Sequence, residues 1–483
     1  MPFARSSSGL PVSNVSAAVE PNAAQKAGPR FRRAVCFRLR MLPLFVLACA
    51  AVAAPAIAGP AHPSPAGPGK YTGPGSCSSS SCHGSVKPRA GSRILQDEYS
   101  TWVVSDKHAK AYNVLTGVVG ERIGRVLGIG KSEESPKCLA CHALDVPAEQ
   151  RAKTFDLSDG VSCESCHGPA SAWLGEHTTR GWTHAQSVAL GMYDTRDLAK
   201  RTEKCLSCHL GGQEKFVDHE MIAAGHPDLY FELDSFSAVM PRHWKVPREN
   251  APGVPEQADP LSGVRDWGTG QAVQLHAWLV RLQERTHGKT WPEYSELQCF
   301  SCHHSLTTPE QSWRQERGYP GRQPGDPPWN TSRYAIFREL AHQVDASAAD
   351  QLDAQIAQLS KLMGEPNPDR ETVATAAAGA QTMANGFVAR IQAQPYDQAF
   401  TLRLLDRISA DADVISAADE RAAEQATMAL DSLFIAYTKN AQLARSVEIR
   451  AAINDLFAQL ENPSAYNPND FSRGMRKVNA LLH

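Results

Sequence analysis

From residue 332 onward, apolar side chains return at helical intervals. Leu352, Ile356, Leu359 and Leu362 share one face, while Leu402, Leu405 and Ile408, then Leu430, Leu433 and Ile435, mark others. This stretch is Ala-rich, has no cysteine, and predicts a helical bundle or hairpin set of about four helices. Residues 76–304 are different. They show little sustained periodicity; helices are predicted over 95–115 and 270–284, with irregular spacers elsewhere. Gly318, Pro320, Gly321, Pro324, Gly325, Pro327 and Pro328 make residues 308–330 an extended connector.

A third pattern lies near the start. Residues 1–30 are rich in Ser, Ala, Pro and Asn, with no apolar period, and read as disordered or as an upstream start. Arg32, Arg33, Arg38 and Arg40 then precede an apolar run over 42–58 that ends in Ala56-Ile57-Ala58. That is the layout of a cleaved signal peptide, so the chain is expected to be periplasmic. A transmembrane anchor is the alternative, but the run is short and broken by Pro43 and Pro55. A lipid anchor through Cys49 is a second alternative, with the apolar residues after it as the objection. The chain thus divides into an extension and signal peptide (1–58), a Pro/Gly-rich linker (59–75), a central region (76–331) and a C-terminal helical region (332–483).

Composition narrows the function. Lys+Arg 49 against Asp+Glu 51 in 483 residues gives a net charge of -2, so bulk electrostatics point to no nucleic acid. Cysteine is the informative residue. Of the 12, Cys36 and Cys49 precede the expected cleavage site, and ten fall into five clusters, each followed at once by histidine. Four read C-x-x-C-H: Cys138, Cys141, His142; Cys163, Cys166, His167; Cys205, Cys208, His209; and Cys299, Cys302, His303. The first is looser, with four serines between Cys77 and Cys82 before His83.

Two cysteines three apart lie on one side of a helical turn, where both sulfurs can form thioethers with the vinyl groups of a haem. The next residue then offers its imidazole to the iron from the same side. Zinc is the rival reading of paired cysteines, but it leaves the five histidines unexplained. Five covalently attached haems c are therefore expected. The fold class follows: mainly α, a multihaem cytochrome domain of short helices and long loops wrapped around haems, then a C-terminal α-helical bundle. Large apolar cofactors would supply much of the central core.

With these motifs in hand, the central region resembles the cytochrome c-554 family of multihaem electron carriers. The resemblance rests on Trp102 with S-D-K-H-A-K-A at 105–111, G-V-S-C-E-S-C-H-G-P at 160–169, G-E-H at 175–177 and C-L-S-C-H-L at 205–210. H-E-M-I-A-A-G-H-P at 219–227 and C-F-S-C-H-H at 299–304 look like segments of longer relatives. The family core carries four haems; here there is a fifth motif, and the first departs from the usual spacing. The resemblance implies His108 as distal ligand to the haem of His167 and His177 as distal ligand to the haem of His83. It also implies that the haem of His142 lacks a protein sixth ligand and could take a small ligand.

Further distal candidates come from the residues themselves. His276 lies beside Val273, Ala277 and Val280 on an apolar helix face, where a structural role is an equal reading. His219 and His226 share one segment, and Pro227 favours His226. His184, His243 and His304 are weaker, His287 reads as solvated, and His342 and His483 are isolated. The expected function is transfer of single electrons between redox partner proteins. The alternative is an oxidoreductase acting on a small nitrogen or sulfur compound at an open iron, although no C-x-x-C-K variant is present. A scaffold docked to a membrane complex through its C-terminal helices is a third reading.

Overall fold

Many helices in this chain start where a side chain offers an acceptor for the free N–H groups of a first turn. The computed structural model describes residues 69–483 apart from 93, 213–214, 246–260, 300–301, 304–326 and 440. The expected signal peptide, most of the expected linker and connector, and His304 lie outside the described residues. Pro65–His483 forms one compact unit, and among the described residues it holds 17 helices, short 3-10 turns and no strand.

Around the haem motifs the helices are short: α1 (Glu98–Ser105), α2 (Val118–Val126), α3 (Pro136–His142), α4 (Cys163–His167), α5 (His184–Ala189), α6 (Leu198–His209), α7 (His219–Ala224) and α8 (Leu233–Val239). Longer ones follow: α9 (Ser262–Thr286), α10 (Ser332–Val344), α11 (Ala346–Met363), α12 (Arg370–Ala393), α13 (Gln398–Ala410), α14 (Ala412–Ala418), α15 (Glu420–Thr438), α16 (Ser446–Gln459) and α17 (Pro468–Leu482). Asp197, Asp218, Asp345, Asp369, Asp397 and Asp419 cap α6, α7, α11, α12, α13 and α15 through their carboxylates.

The centre of the fold is α9. Val264, Trp267, Leu275, Trp278, Leu279 and Leu282 are almost wholly buried, and Trp278 stacks on Trp329 with ring centres 4.3 Å apart. Each such side chain contributes about 1.5–3 kcal/mol of burial. The helix packs along α12, where Ala377, Ala380 and Ala384 recur at helical spacing and let the two backbones approach. One apolar core extends from Leu206 and Leu210 of the haem region through α9 to Met475 and Val478 of α17, and so runs across position 331/332. The motif region has little core of its own: Leu115, Cys138, Leu139 and Ala143 form its separate cluster.

Several expectations change in detail. The helix expected over 95–115 breaks at Asp106, which turns extended (φ -84, ψ 129) and spends its carboxylate on His108. The helix expected over 270–284 runs longer, as α9. Residues 332–483 hold eight helices, α10 to α17, rather than about four. Four of the boundaries fall at capping aspartates, Asp345, Asp369, Asp397 and Asp419, whose acceptors start the next helix. Among the described residues, no helix is long and apolar enough to cross a membrane.

Candidate haem sites

The second, third and fourth motifs each lie on the last turn of a short helix, α3, α4 and α6. In the fifth cluster the N–H of His303 donates to the carbonyl of Cys299 at 2.8 Å. The first cluster reaches the same closure over a longer loop. The N–H of His83 donates to the carbonyl of Cys77 at 3.3 Å, while the N–H groups of Cys82 and Gly84 turn back onto the carbonyl of Ser79 at 2.8 and 2.9 Å. The two extra residues are thus taken up in the serine turn, and both cysteines stay at the ends of one closed loop.

The motif helices are then pinned to each other. Glu164, between the two cysteines of the third motif, is almost fully buried. Its carboxylate accepts from the N–H groups of Thr72 (2.9 Å), Gly73 (2.6 Å) and Ala170 (2.7 Å), which binds the segment before Cys77 to α4. The Cys77 side chain lies against Cys163, and Cys141 lies against Cys208. The first motif is therefore paired with the third, and the second with the fourth. Sequence reading missed Glu164; the available signal was a carboxylate inside a motif whose other spacer positions carry no charge.

What the histidines do is the decisive feature. A metal–imidazole bond of about 2 Å, with roughly 1 Å from nitrogen to ring centre, puts two imidazoles on opposite sides of one metal about 6 Å apart, centre to centre. Four proximal histidines meet that separation. His83 faces His177 at 6.1 Å with ring planes 9° apart, and His209 faces His108 at 6.1 Å and 86°. His142 faces His226 at 6.2 Å and 89°, and His303 faces His219 at 6.1 Å and 27°.

His167 has a different surrounding. Burial holds its imidazole down to about 4, and the neighbouring His243, His83 and His184 act in the same direction, in that order. His184 has its Nε2 on Asp194 Oδ1 at 2.7 Å. His243 places Nδ1 on the carbonyl of Pro241 at 3.2 Å, which leaves Nε2 for a metal. His243 is therefore the candidate partner of His167.

The ring geometry differs from two implications of the resemblance. His108 faces His209, not His167, because the extended backbone at Asp106 orients the ring and the carboxylate holds it. The position opposite His142 is filled by His226. Gly225, at φ 111, ends α7; the N–H of His226 then donates to the carbonyl of Met221 at 3.0 Å, and Lys137 of α3 pairs with Asp218 at 2.8 Å. Those contacts bring the A-G-H-P segment over the second motif. The pairing of His177 with His83 is the one the resemblance implies. His276 has no proximal imidazole facing it among the described residues; burial lowers its basicity and Glu203 is its charged neighbour.

The Nδ1 atoms show how each ring is held. A ligating histidine needs its other nitrogen engaged to fix tautomer and orientation. His142, His177 and His226 use the carbonyls of Ala111, Trp173 and Pro227 at 3.0, 3.0 and 2.7 Å. His83 and His108 use carboxylates instead, Glu98 Oε2 and Asp106 Oδ1, both at 2.9 Å. Those two imidazoles are raised above the ordinary histidine range by that bond, whereas burial depresses His142 and brings His209 down to about 4. For His142 and His209 burial thus favours the uncharged imidazole that a metal requires. The fifth motif is held from the C-terminal side: Arg421 of α15 donates to Cys299 Sγ at 3.3 Å and pairs with Asp228 at 2.5 Å.

Cysteine pairs, each with an adjacent histidine and an opposed imidazole, on short helices with little side-chain core, define a c-type cytochrome: a protein that holds haem c covalently and transfers electrons. Residues 77–168, which contain the first three motifs, match the family model described as cytochrome c554 and c-prime. The matched stretch stops short of the fourth and fifth motifs. No significant match is found among curated proteins or among solved structures.

Proposed function

We propose that the protein is an exported carrier in which five haems c, each between two histidines, relay single electrons between redox partner proteins. The observation that carries this reading is the set of imidazoles facing His83, His142, His209 and His303 at the spacing of a shared metal, with His243 supplying the fifth. An iron saturated by two imidazoles exchanges electrons without exchanging ligands, which suits a relay rather than a catalyst. Bound haem supplies the one-electron chemistry; the chain's part is to hold the rings and exclude other ligands. Export is supported by the charged and apolar pattern over 32–58. The alternative of small-molecule catalysis depends on an open iron at His142, and the ring of His226, 6.2 Å from that of His142, counts against it.

Low-temperature EPR of the purified, oxidised protein, with and without nitric oxide, tests the proposal, alongside a mass measurement counting attached haems. Five haems and wholly low-spin iron, indifferent to nitric oxide, are expected. A high-spin signal that changes with nitric oxide would overturn the proposal and direct attention to substrate assays.

A further inference from the structure

The five irons differ in what stands behind their histidines. For the second motif, both Nδ1 atoms rest on backbone carbonyls, those of Ala111 and Pro227. For the third, His243 rests on the carbonyl of Pro241. The first and fourth motifs each have one histidine on a carboxylate: His83 on Glu98, and His108, opposite His209, on Asp106. Both carboxylates are fixed by a second bond. Glu98 Oε1 accepts the N–H of Leu95 at 2.8 Å, and Asp106 Oδ1 accepts the N–H of His108 at 3.0 Å.

A carboxylate on Nδ1–H draws the proton towards itself and makes the other ring nitrogen a stronger donor. A stronger donor, with a negative charge behind it, favours ferric over ferrous iron because the ferric site is more positive. A carbonyl does this less, having only a partial charge. Glu164 is also buried nearby, but its charge is satisfied by backbone N–H groups rather than by a ligating ring.

Combined with the cysteine contacts, this has a consequence for each pair of motifs. Cys77 lies against Cys163, so the attachment points of the His83 and His167 haems are neighbours. Cys141 lies against Cys208, so those of His142 and His209 are neighbours as well. Each pair contains one carboxylate-backed iron and one carbonyl-backed iron.

We infer that each pair is a built-in low–high potential couple, with Glu98 and Asp106 as the positioning residues that set the low member. This rests on the five-haem, two-histidine reading above. An electron from a one-electron donor, entering either pair, settles on the iron of His167 or His142. Asp106 also acts through space on His243, so its removal raises the third haem slightly and the fourth most. Glu98 acts most on the first haem, through His83.

EPR-monitored redox titration of the haem-loaded protein tests this, with Glu98→Gln and Asp106→Asn against the unchanged chain. The ring angles separate the signals. Near-parallel imidazoles, as at His83 and His177 (9°), split the iron d orbitals and give a rhombic low-spin spectrum; crossed ones, as at His108 and His209 (86°), give a highly anisotropic one. Glu98→Gln should raise the midpoint of one rhombic signal, and Asp106→Asn that of one highly anisotropic signal. The expected size is tenfold or more in the reduction equilibrium, about 59 mV for one electron.

Glu98→Asp and Asp106→Glu keep the charge and should return the midpoints towards the starting values. A merely structural role would leave them displaced like the amides. Unchanged midpoints in both amide variants, with all irons low-spin, overturn the inference while leaving the carrier reading intact. High-spin iron in the unchanged protein overturns the carrier reading, and the inference with it.

Discussion

A single imidazole, His226, decides whether the second iron is open. Replacing it by alanine removes the ring opposite His142 but leaves the thioether cysteines and the proximal ligand. The expected result is a high-spin ferric signal from roughly one iron in five, responsive to nitric oxide, with the haem count unchanged. EPR and visible absorption check it; a spectrum that stays low-spin would place another ligand at that iron. Glu232 offers a second test. Burial, reinforced by Asp234, pushes its carboxyl up to about 7 from the ordinary 4.5. A carboxyl raised in the folded state contributes stability that is full below about pH 4.5 and is lost as pH rises to about 7, because the unfolded chain gives up the proton first. Glu232→Gln should therefore flatten the fall in thermal stability across that window, read as the difference between the two melting curves. At this scale the proximal histidines were legible because thioether chemistry fixes them beside their cysteines. The distal ones were not. Nothing local separates His226 and His243, which face or neighbour proximal rings, from His276, which faces Glu203, because each pairing depends on a contact between distant segments such as Lys137 with Asp218.

Among the elements, α9 bears the most packing and tolerates the least added volume. A Cβ on Gly270 would stand 2.7 Å from Leu233 Cβ, an atom fixed close to its backbone. At Gly268 the nearest atoms are the ends of Leu340 and Ile391 side chains, at 3.0 and 3.1 Å, which can turn aside. Gly270→Ala is therefore expected to destabilise by about 1–3 kcal/mol. Gly268→Ala should stay within about 1 kcal/mol of neutral, since alanine's helix preference offsets the crowding. Denaturant midpoints of the two variants compare them directly; equal losses would refute the distinction. The apolar spacing in α11 and α15 announced those helices, and Leu352, Ile356, Leu359, Leu430 and Leu433 are indeed buried. The eight-helix count was not evident, since Asp345, Asp369 and Asp397 look like ordinary solvated charges until their carboxylates are seen capping the next turn. The break at Asp106 was hidden for the same reason: a helix-compatible stretch yields to a side chain that serves a histidine.

In the molecule as a whole, two kinds of interior meet. From α9 to α17, leucine, alanine and aromatic side chains fill the space; from residue 69 to α5, short helices surround histidines and cysteines, with one small apolar cluster. The division in character near residue 332 was visible in the sequence, yet the apolar core ignores it, because α9 belongs by packing with the helices that follow.

That asymmetry bears on how the protein is made. Before any haem is joined, α9 and the helices after it already hold the contacts that fold a chain, whereas the motif region has almost none. The newly made polypeptide should therefore consist of a finished C-terminal body trailing an open N-terminal half, its cysteines reachable by whatever attaches the cofactor. The fourth and fifth motifs are the exceptions: Leu206 and Leu210 pack into the core of the finished body, and Arg421 grips Cys299 from it, so those sites are shaped first. Hydrogen exchange on the haem-free chain should find α9 to α17 protected, with α6 held against α9, and the first three motifs exposed. Uniform protection would mean that the motif region can fold unaided.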